Sequence, residues 1–302
     1  MKKFYQISSV ILIIGLILLI FGKLHDHNRE ISNWGASEFR VHSHHHHHHD
    51  HDDDDDDWDK RKIENKRFKV KQFTKITLDL SRPDVHIAKG EKYQVTISGP
   101  AGKRITAKVK NQELLISDAA QNSFFRWHHG YDITITIPAT ARLTDLTGQT
   151  QEGDLYLDNL AISTIDLTLN DGDLAMNNVK VKKANIRLEE GDMKVTDSTI
   201  IGGLNLGDGD LNITGSQLQL IASLADGDAT ISNSQLLGNT SFKLDDGDFE
   251  MDKSSGISYD LSADDDDDIR LGNRRYRGHY SKKITRAPTL KVTSGDGDIK
   301  IY

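Results

Sequence analysis

Eight short stretches of this 302-residue chain set two acids around one central residue. They are Glu152-Gly153-Asp154, Asp171-Gly172-Asp173, Glu190-Gly191-Asp192, Asp208-Gly209-Asp210, Asp226-Gly227-Asp228, Asp246-Gly247-Asp248, Asp266-Asp267-Asp268 and Asp296-Gly297-Asp298. Stacked in a file, their carboxylates could share divalent cations, with Ca²⁺ taking several oxygens at once. The candidate ladder is Asp173, Asp192, Asp210, Asp228, Asp248, Asp268 and Asp298. A local reading competes with this: aspartates after a turn glycine accept turn amides, and the preceding acid points into water. One of the two is needed, because unit charges about 4.8 Å apart repel by about 1 kcal/mol even in water.

Three further groups carry chemistry. His44, His45, His46, His47, His48, His49 and His51, with Asp52 beside them, offer imidazole and carboxylate donors suited to Zn²⁺ or Ni²⁺. The same tract reads as an expression tag, or as a solvated spacer extended by its own charge. Between Ile269 and Gly295 the chain holds Arg270, Arg274, Arg275, Arg277, Lys282, Lys283 and Arg286 with no acid, and Tyr276 and Tyr280 interleave. These cations fit an anionic envelope polymer, an internal latch onto the acidic ladder, or a solvated loop. Phe124, Phe125, Trp127 and Tyr131 crowd one loop, either as a plug over the end of a core or as an exposed contact.

The triplets need elements to hold them. Their centres are spaced by 19, 19, 18, 18, 20, 20 and 30 residues, the mark of a stacked array. Apolar residues alternate before each triplet and after it, as in Ile186, Leu188, then Met193, Val195. The phase shifts by one residue across the glycine, so both strands put their apolar side chains on one side of a corner. One unit cannot bury that side alone, so units must stack. Aspartate-glycine is also a hairpin signal. The near-constant period favours a β-solenoid over an array of hairpins. Upstream, "FKVKQFTKITLDL", "DVHIAKGEKYQVTISG", "ITAKVKNQELLIS" and "YDITITIP" alternate like half-buried strands, with turns expected at Gly90 and Asn111.

The N-terminus carries Lys2 and Lys3, then a 19-residue apolar stretch from Phe4 to Gly22, about one bilayer crossing. No small-residue cleavage site follows, so an uncleaved signal anchor is favoured over a cleaved peptide, with the remainder outside. The expected organisation is a transmembrane helix at 1–24, a disordered His/Asp-rich linker at 25–62 and an all-β, single-stack solenoid at 63–302. The protein is then single-pass in the cell membrane, with its C-terminal domain extracytoplasmic. A net charge of −8 argues against nucleic acid as a partner. There is no cysteine, which excludes disulfides, thiolate metal sites and a thiol nucleophile. No nucleophile–base order, zinc-protease or phosphate-loop motif occurs, so the expectation is a non-catalytic protein.

From about Phe68 to Tyr302 the chain resembles the bacterial putative-adhesin family of β-strand repeats, a domain of unknown function. The residues that carry the likeness are "FTKITLDLSRPDVHIAKG", "YDITITIP", the Gly-Asp units and the closing "GDGDIKIY". The resemblance implies a solenoid-like exterior domain, often membrane-tethered in Gram-positive bacteria, sometimes linked to envelope stress, and without catalytic residues. The His/Asp tract and the basic segment depart from the family pattern. Together these observations point to a cell-surface interaction module or an envelope-stress accessory whose partner is an envelope polymer or protein. The alternative is a metal-buffering surface protein.

Overall fold

The structure, a computed structural model, describes residues 63–100, 105–118, 131–252, 256–264 and 266–302. The expected anchor and linker, including the histidine tract, lie outside the described residues, as do Phe124, Phe125 and Trp127. Among the described residues all regular structure is β-strand.

Each central coil consists of a long strand, a Gly-Asp corner, a short strand and a second corner. The long strands Ala161–Asp171, Lys180–Glu190, Thr199–Asp208 and Gln217–Asp226 pair in parallel with one another. The short strands Leu174–Asn177, Met193–Thr196, Leu211–Thr214 and Ala229–Ser232 do the same in a second sheet. This parallel pairing is the solenoid pattern. Hairpins would have paired each long strand antiparallel with the short strand that follows it.

Equivalent residues stack because the side-chain period is two and one face is buried. Leu169, Leu188, Leu206 and Leu224 form one buried row, and Leu174, Met193, Leu211 and Ala229 form another. Where one coil places Ala222 and Ala229, its neighbour places Phe242 and Phe249, whose rings lie 5.1 Å apart. Small and large side chains thus alternate along the stack and keep the core filled. The change of period from 19 to 18 is absorbed in the long strands, where the register slips between Val181 and Ala184. The second corner uses Asn178, Asp197 and Asn233 at φ near 50°, a left-handed conformation these residue types tolerate. The next residue caps the turn: Ser198 Oγ accepts the Val179 N–H at 2.9 Å and donates to the Thr196 carbonyl at 2.7 Å.

The ends of the stack do not follow the order of the sequence. The coil made by Lys75–Leu80 and Asp84–Gly90 lies between the coil made by Glu113–Asp118 and Asp132–Pro138 and the coil made by Leu143–Glu152 and Leu155–Asp158. Likewise the last coil, Thr289–Asp296 and Ile299–Ile301, is inserted between the coil of Thr240–Asp246 and Phe249–Met251 and that of Ser258–Ser262 and Ile269–Leu271. Antiparallel strands close both ends. At the N-terminal end these are Gln94–Pro100, Ile63–Lys69 and Ile105–Lys110. At the C-terminal end they are Arg274–Tyr276 and His279–Lys282.

Two sequence expectations change here. The basic segment is not a loop but a pair of capping strands, and its insertion makes the last step 30 residues long. Gly90 does not close a hairpin, because the strand Asp132–Pro138 separates Asp84–Gly90 from Gln94–Pro100. Asn111 does: with Gln112 it adopts φ of 52° and 63°, the two-residue turn that matches strand twist. Every buried apolar side chain among the described residues falls between Phe73 and Ile301, so the core closes on itself within one contact unit, Asp56–Tyr302.

Candidate functional site

The corner dictates the ladder. In a central corner the chain must turn while neighbouring coils remain about 4.8 Å apart. Gly227 does so at φ 129°, and a Cβ there would stand 2.3 Å from the Gly209 carbonyl oxygen. Only glycine meets both demands. The residue after it is held facing the coil before. Asp154 Oδ1 accepts the amide N–H of Asp173 at 2.9 Å, and Asp173 Oδ1 accepts that of Asp192 at 2.8 Å. The chain of bonds continues through Asp210, Asp228, Asp248, Asp298 and finally Asp268, each at 2.8 or 2.9 Å. All seven candidate aspartates therefore stand in one file, with Asp298 placed ahead of Asp268 by the inserted coil. Each donor belongs to the next coil, so the sequence argument for amide acceptance holds in kind but crosses between units. A charged acceptor makes such a bond worth about 1.5–3 kcal/mol, enough to offset the rung-to-rung repulsion.

A second acidic column runs beside the first. Glu152, Asp171, Glu190, Asp208, Asp226, Asp246 and Asp296 occupy matching positions and are exposed. Among the described residues no group of three histidine or acidic side chains is arranged to hold a metal ion.

The two ends of the ladder differ electrically. At the C-terminal end Asp268 is buried and ion-paired with Arg270, at 3.1 Å, and with Arg275. Burial pushes its pKa up, but the two guanidinium groups outweigh this and hold it below the usual carboxylate value. Lys300 Nζ lies 2.5 Å from Asp248 and 3.6 Å from Asp298. Asp248 is likewise lowered, burial being outweighed chiefly by the Lys300 hydrogen bond. Toward the N-terminal end Asp84 and Asp173 are raised, first by burial and then by neighbouring carboxylates, against the backbone bonds they accept. Asp132, beside Asp84, is raised by burial. Tyr156 donates its hydroxyl to Asp154 Oδ2 at 2.7 Å, and burial with that bond raises the phenol's pKa. His86 lies edge-on to Tyr156 and meets Asp158 at 2.5 Å.

The remaining expected residues distribute as follows. Arg274, Arg275, Arg277, Lys282 and Lys283 are all exposed on the cap; of these Arg275 pairs with buried Asp268, and the other four make no ion pair with a described carboxylate. The rings of Tyr276 and Tyr280, one on each capping strand, meet at 4.4 Å with their planes tilted by 45°. Tyr131 is buried, and its ring fills the space where Gly99 lacks a side chain.

Sequence reasoning missed three partners, Asp84, Tyr156 and Lys300. Asp84 is the first rung, accepting the Asp154 N–H at 2.9 Å. Its "DVHI" matches "DLYL" and "DMKV", but Arg82-Pro83 hides the triplet. Tyr156 and Lys300 each lie two residues beyond a ladder aspartate, on the same face of the strand, a signal that period-two reading could have exposed. Arg270, named among the latch candidates, holds the same offset from Asp268.

This geometry defines a capped, repeat-built β-solenoid with a charged corner. The chain belongs to the Toastrack DUF4097 family, whose model matches residues 73–302. Among solved structures, a "putative adhesin" from Bacteroides fragilis NCTC 9343 aligns at 19% identity and a TM-score of 0.53, covering 80% of this chain and 97% of that one. Another structure so named, from Parabacteroides distasonis ATCC 8503, aligns at 12% identity and a TM-score of 0.46, covering 80% and 98%. The likeness to the first is one of fold. A comparison with curated proteins finds no match.

Proposed function

We propose that the chain is a non-catalytic cell-surface interaction module, tethered to the membrane by residues 1–24 and displayed on its outer side. One observation carries this reading. The repeated aspartates are used as acceptors from one coil to the next, so the repeat is architecture, and chemistry is left to the outer faces and the caps. At the end farthest from Ile63, Arg274, Arg277, Lys282 and Lys283 form a cationic cap suited to a phosphate-bearing envelope polymer. The name borne by the Bacteroides fragilis relative fits a contact role.

The test is retention on purified anionic envelope polymer, comparing the parent with a variant carrying Arg274, Arg277, Lys282 and Lys283 changed to Ser. Loss of retention at unchanged melting temperature supports the cap. Equal retention removes it and leaves an envelope protein as the partner to seek. Divalent cations enter this reading only as screening for the middle of the ladder. A melting temperature unmoved by millimolar Ca²⁺ removes them.

A further inference from the structure

Charge is sorted along the stack. The described residues 63–100 and 105–118, which build the N-terminal end, carry 10 Lys and Arg against 6 Asp and Glu, a net +4. Residues 131–252 carry 7 against 21, a net −14. The described residues 256–264 and 266–302 carry 9 against 7, a net +2, and three of those cations already face ladder carboxylates. The excess of positive charge therefore sits at the end where the chain enters, on Ile63.

The two edge strands of that end show how it is displayed. On Ile105–Lys110, Ile105, Ala107 and Val109 lean on the core while Lys108 and Lys110 are exposed. On Ile63–Lys69, Phe68 packs against the core while Arg67 and Lys69 are exposed. The strands belong to opposite sheets, so the cations rim the end on both outer faces. None of these four makes an ion pair with a described carboxylate. Lysine on an edge strand also discourages strand-to-strand aggregation. That role alone would not require net charge to change sign between this end and the coils beside it.

We propose that this N-terminal rim docks end-on against an anionic lipid surface. The sequence outside the described structure says which surface is at hand: the apolar run of Phe4–Gly22 lies about 40 residues before the rim, close enough to hold it at millimolar effective concentration. Each cation near a negative bilayer strengthens binding about fivefold, so a few suffice when the domain is tethered. The acidic middle coils are repelled by the same surface, which favours an upright stack over one lying on its side. The cationic cap of the opposite end is then held away from the membrane. The inference deepens the tethered reading and rests on it for its biological setting, but its test does not need the anchor.

Residues 56–302 contain the closed core and can be used alone. Flotation with phosphatidylglycerol-containing vesicles is compared with phosphatidylcholine vesicles, at low and high salt. Binding is expected only to the anionic vesicles and only at low salt. Changing Arg67, Lys69, Lys108 and Lys110 to Ser should weaken it by roughly several hundredfold. The cap variant at the other end should bind as the parent does. Equal binding to both vesicles, no binding, or loss confined to the cap variant overturns the proposal. If the rim variant does not fold, the parent's salt and lipid dependence decides. A full-length chain that leaves membranes without detergent defeats the tether and not the docking.

Discussion

The two stretches of the acidic ladder share one backbone solution and differ in their electrostatics. From Asp84 to Asp173 the carboxylates are held by neighbouring amides and a tyrosine, and two of the three have raised pKa values. From Asp248 to Asp268 the same amide bonds are joined by Lys300, Arg270 and Arg275, and both ends of that stretch are lowered. The hydrogen-bond file makes a row of like charges tolerable, and cations in the final coils turn it from tolerated into stabilising. The lesson is that a repeated acid need not have one energetic role. The charged groups that the fold packs against it decide it.

The sharpest way to break the comparison is at the corner both stretches share. Gly227→Ala forces a side chain into a left-handed conformation against the Gly209 carbonyl, and should cost about 3 kcal/mol or more in denaturant unfolding. In the outermost coil the equivalent position is Asp267, outside the positive-φ region, whose carboxylate accepts the Gly297 N–H at 3.1 Å. Asp267→Ala should therefore cost only about 1 kcal/mol. Equal losses would mean that corner geometry does not distinguish inner coils from the end.

Next in size is Arg275→Gln, which leaves buried Asp268 with one cation and should lower the melting temperature clearly more than Arg274→Gln, which removes no ion pair with a described carboxylate. Similar melting temperatures for the two would assign the cap no electrostatic role in folding.

Asparagine substitutions should then separate the stretches by sign. Asp173→Asn keeps an oxygen for the Asp192 N–H and removes repulsion, so it should stabilise by about 0.5 kcal/mol. Asp248→Asn keeps the bond to Asp298 but loses Lys300, and should destabilise by about as much. Chemical denaturation measures both, and shifts of the same sign would erase the distinction.

The smallest effect is the pH response. Raised groups such as Asp84, Asp132 and Asp173 contribute stability that is full below the unfolded value of 3.8 and is lost as pH rises through their folded values. Lowered groups such as Asp248 and Asp268 contribute above 3.8, and that contribution is lost as pH falls through their folded values. Melting temperature should rise slightly as pH drops from neutral toward the carboxylate range and fall below it. In the Asp173→Asn protein the rise should shrink. A monotonic fall from neutral pH would contradict the raised values.

Much of the fold was legible because the repeat is local. Triplet spacing, phase shift and strand alternation located the coils from Leu155 to Met251, and the even period favoured their parallel pairing over hairpins. The ends were not legible. Asp296-Gly297-Asp298 is last in sequence yet its coil lies inside the stack, because strand pairing accepts any coil with the right corner and periodicity. The same freedom placed Asp84, hidden behind Pro83, at the head of the ladder. The basic segment read as a loop because its strands are short and antiparallel and take their place only by closing two sheet edges.

By itself the sequence determined the coil: glycine where a side chain has no room, aspartate where an amide waits, and apolar residues at every second position. These are constraints of a few neighbouring residues, so they are written in the order of the chain. Tertiary structure alone decided the order of stacking and which distant cations meet which rungs, such as Lys300 at Asp248. Those depend on contacts between residues up to 70 apart, and no local pattern encodes them.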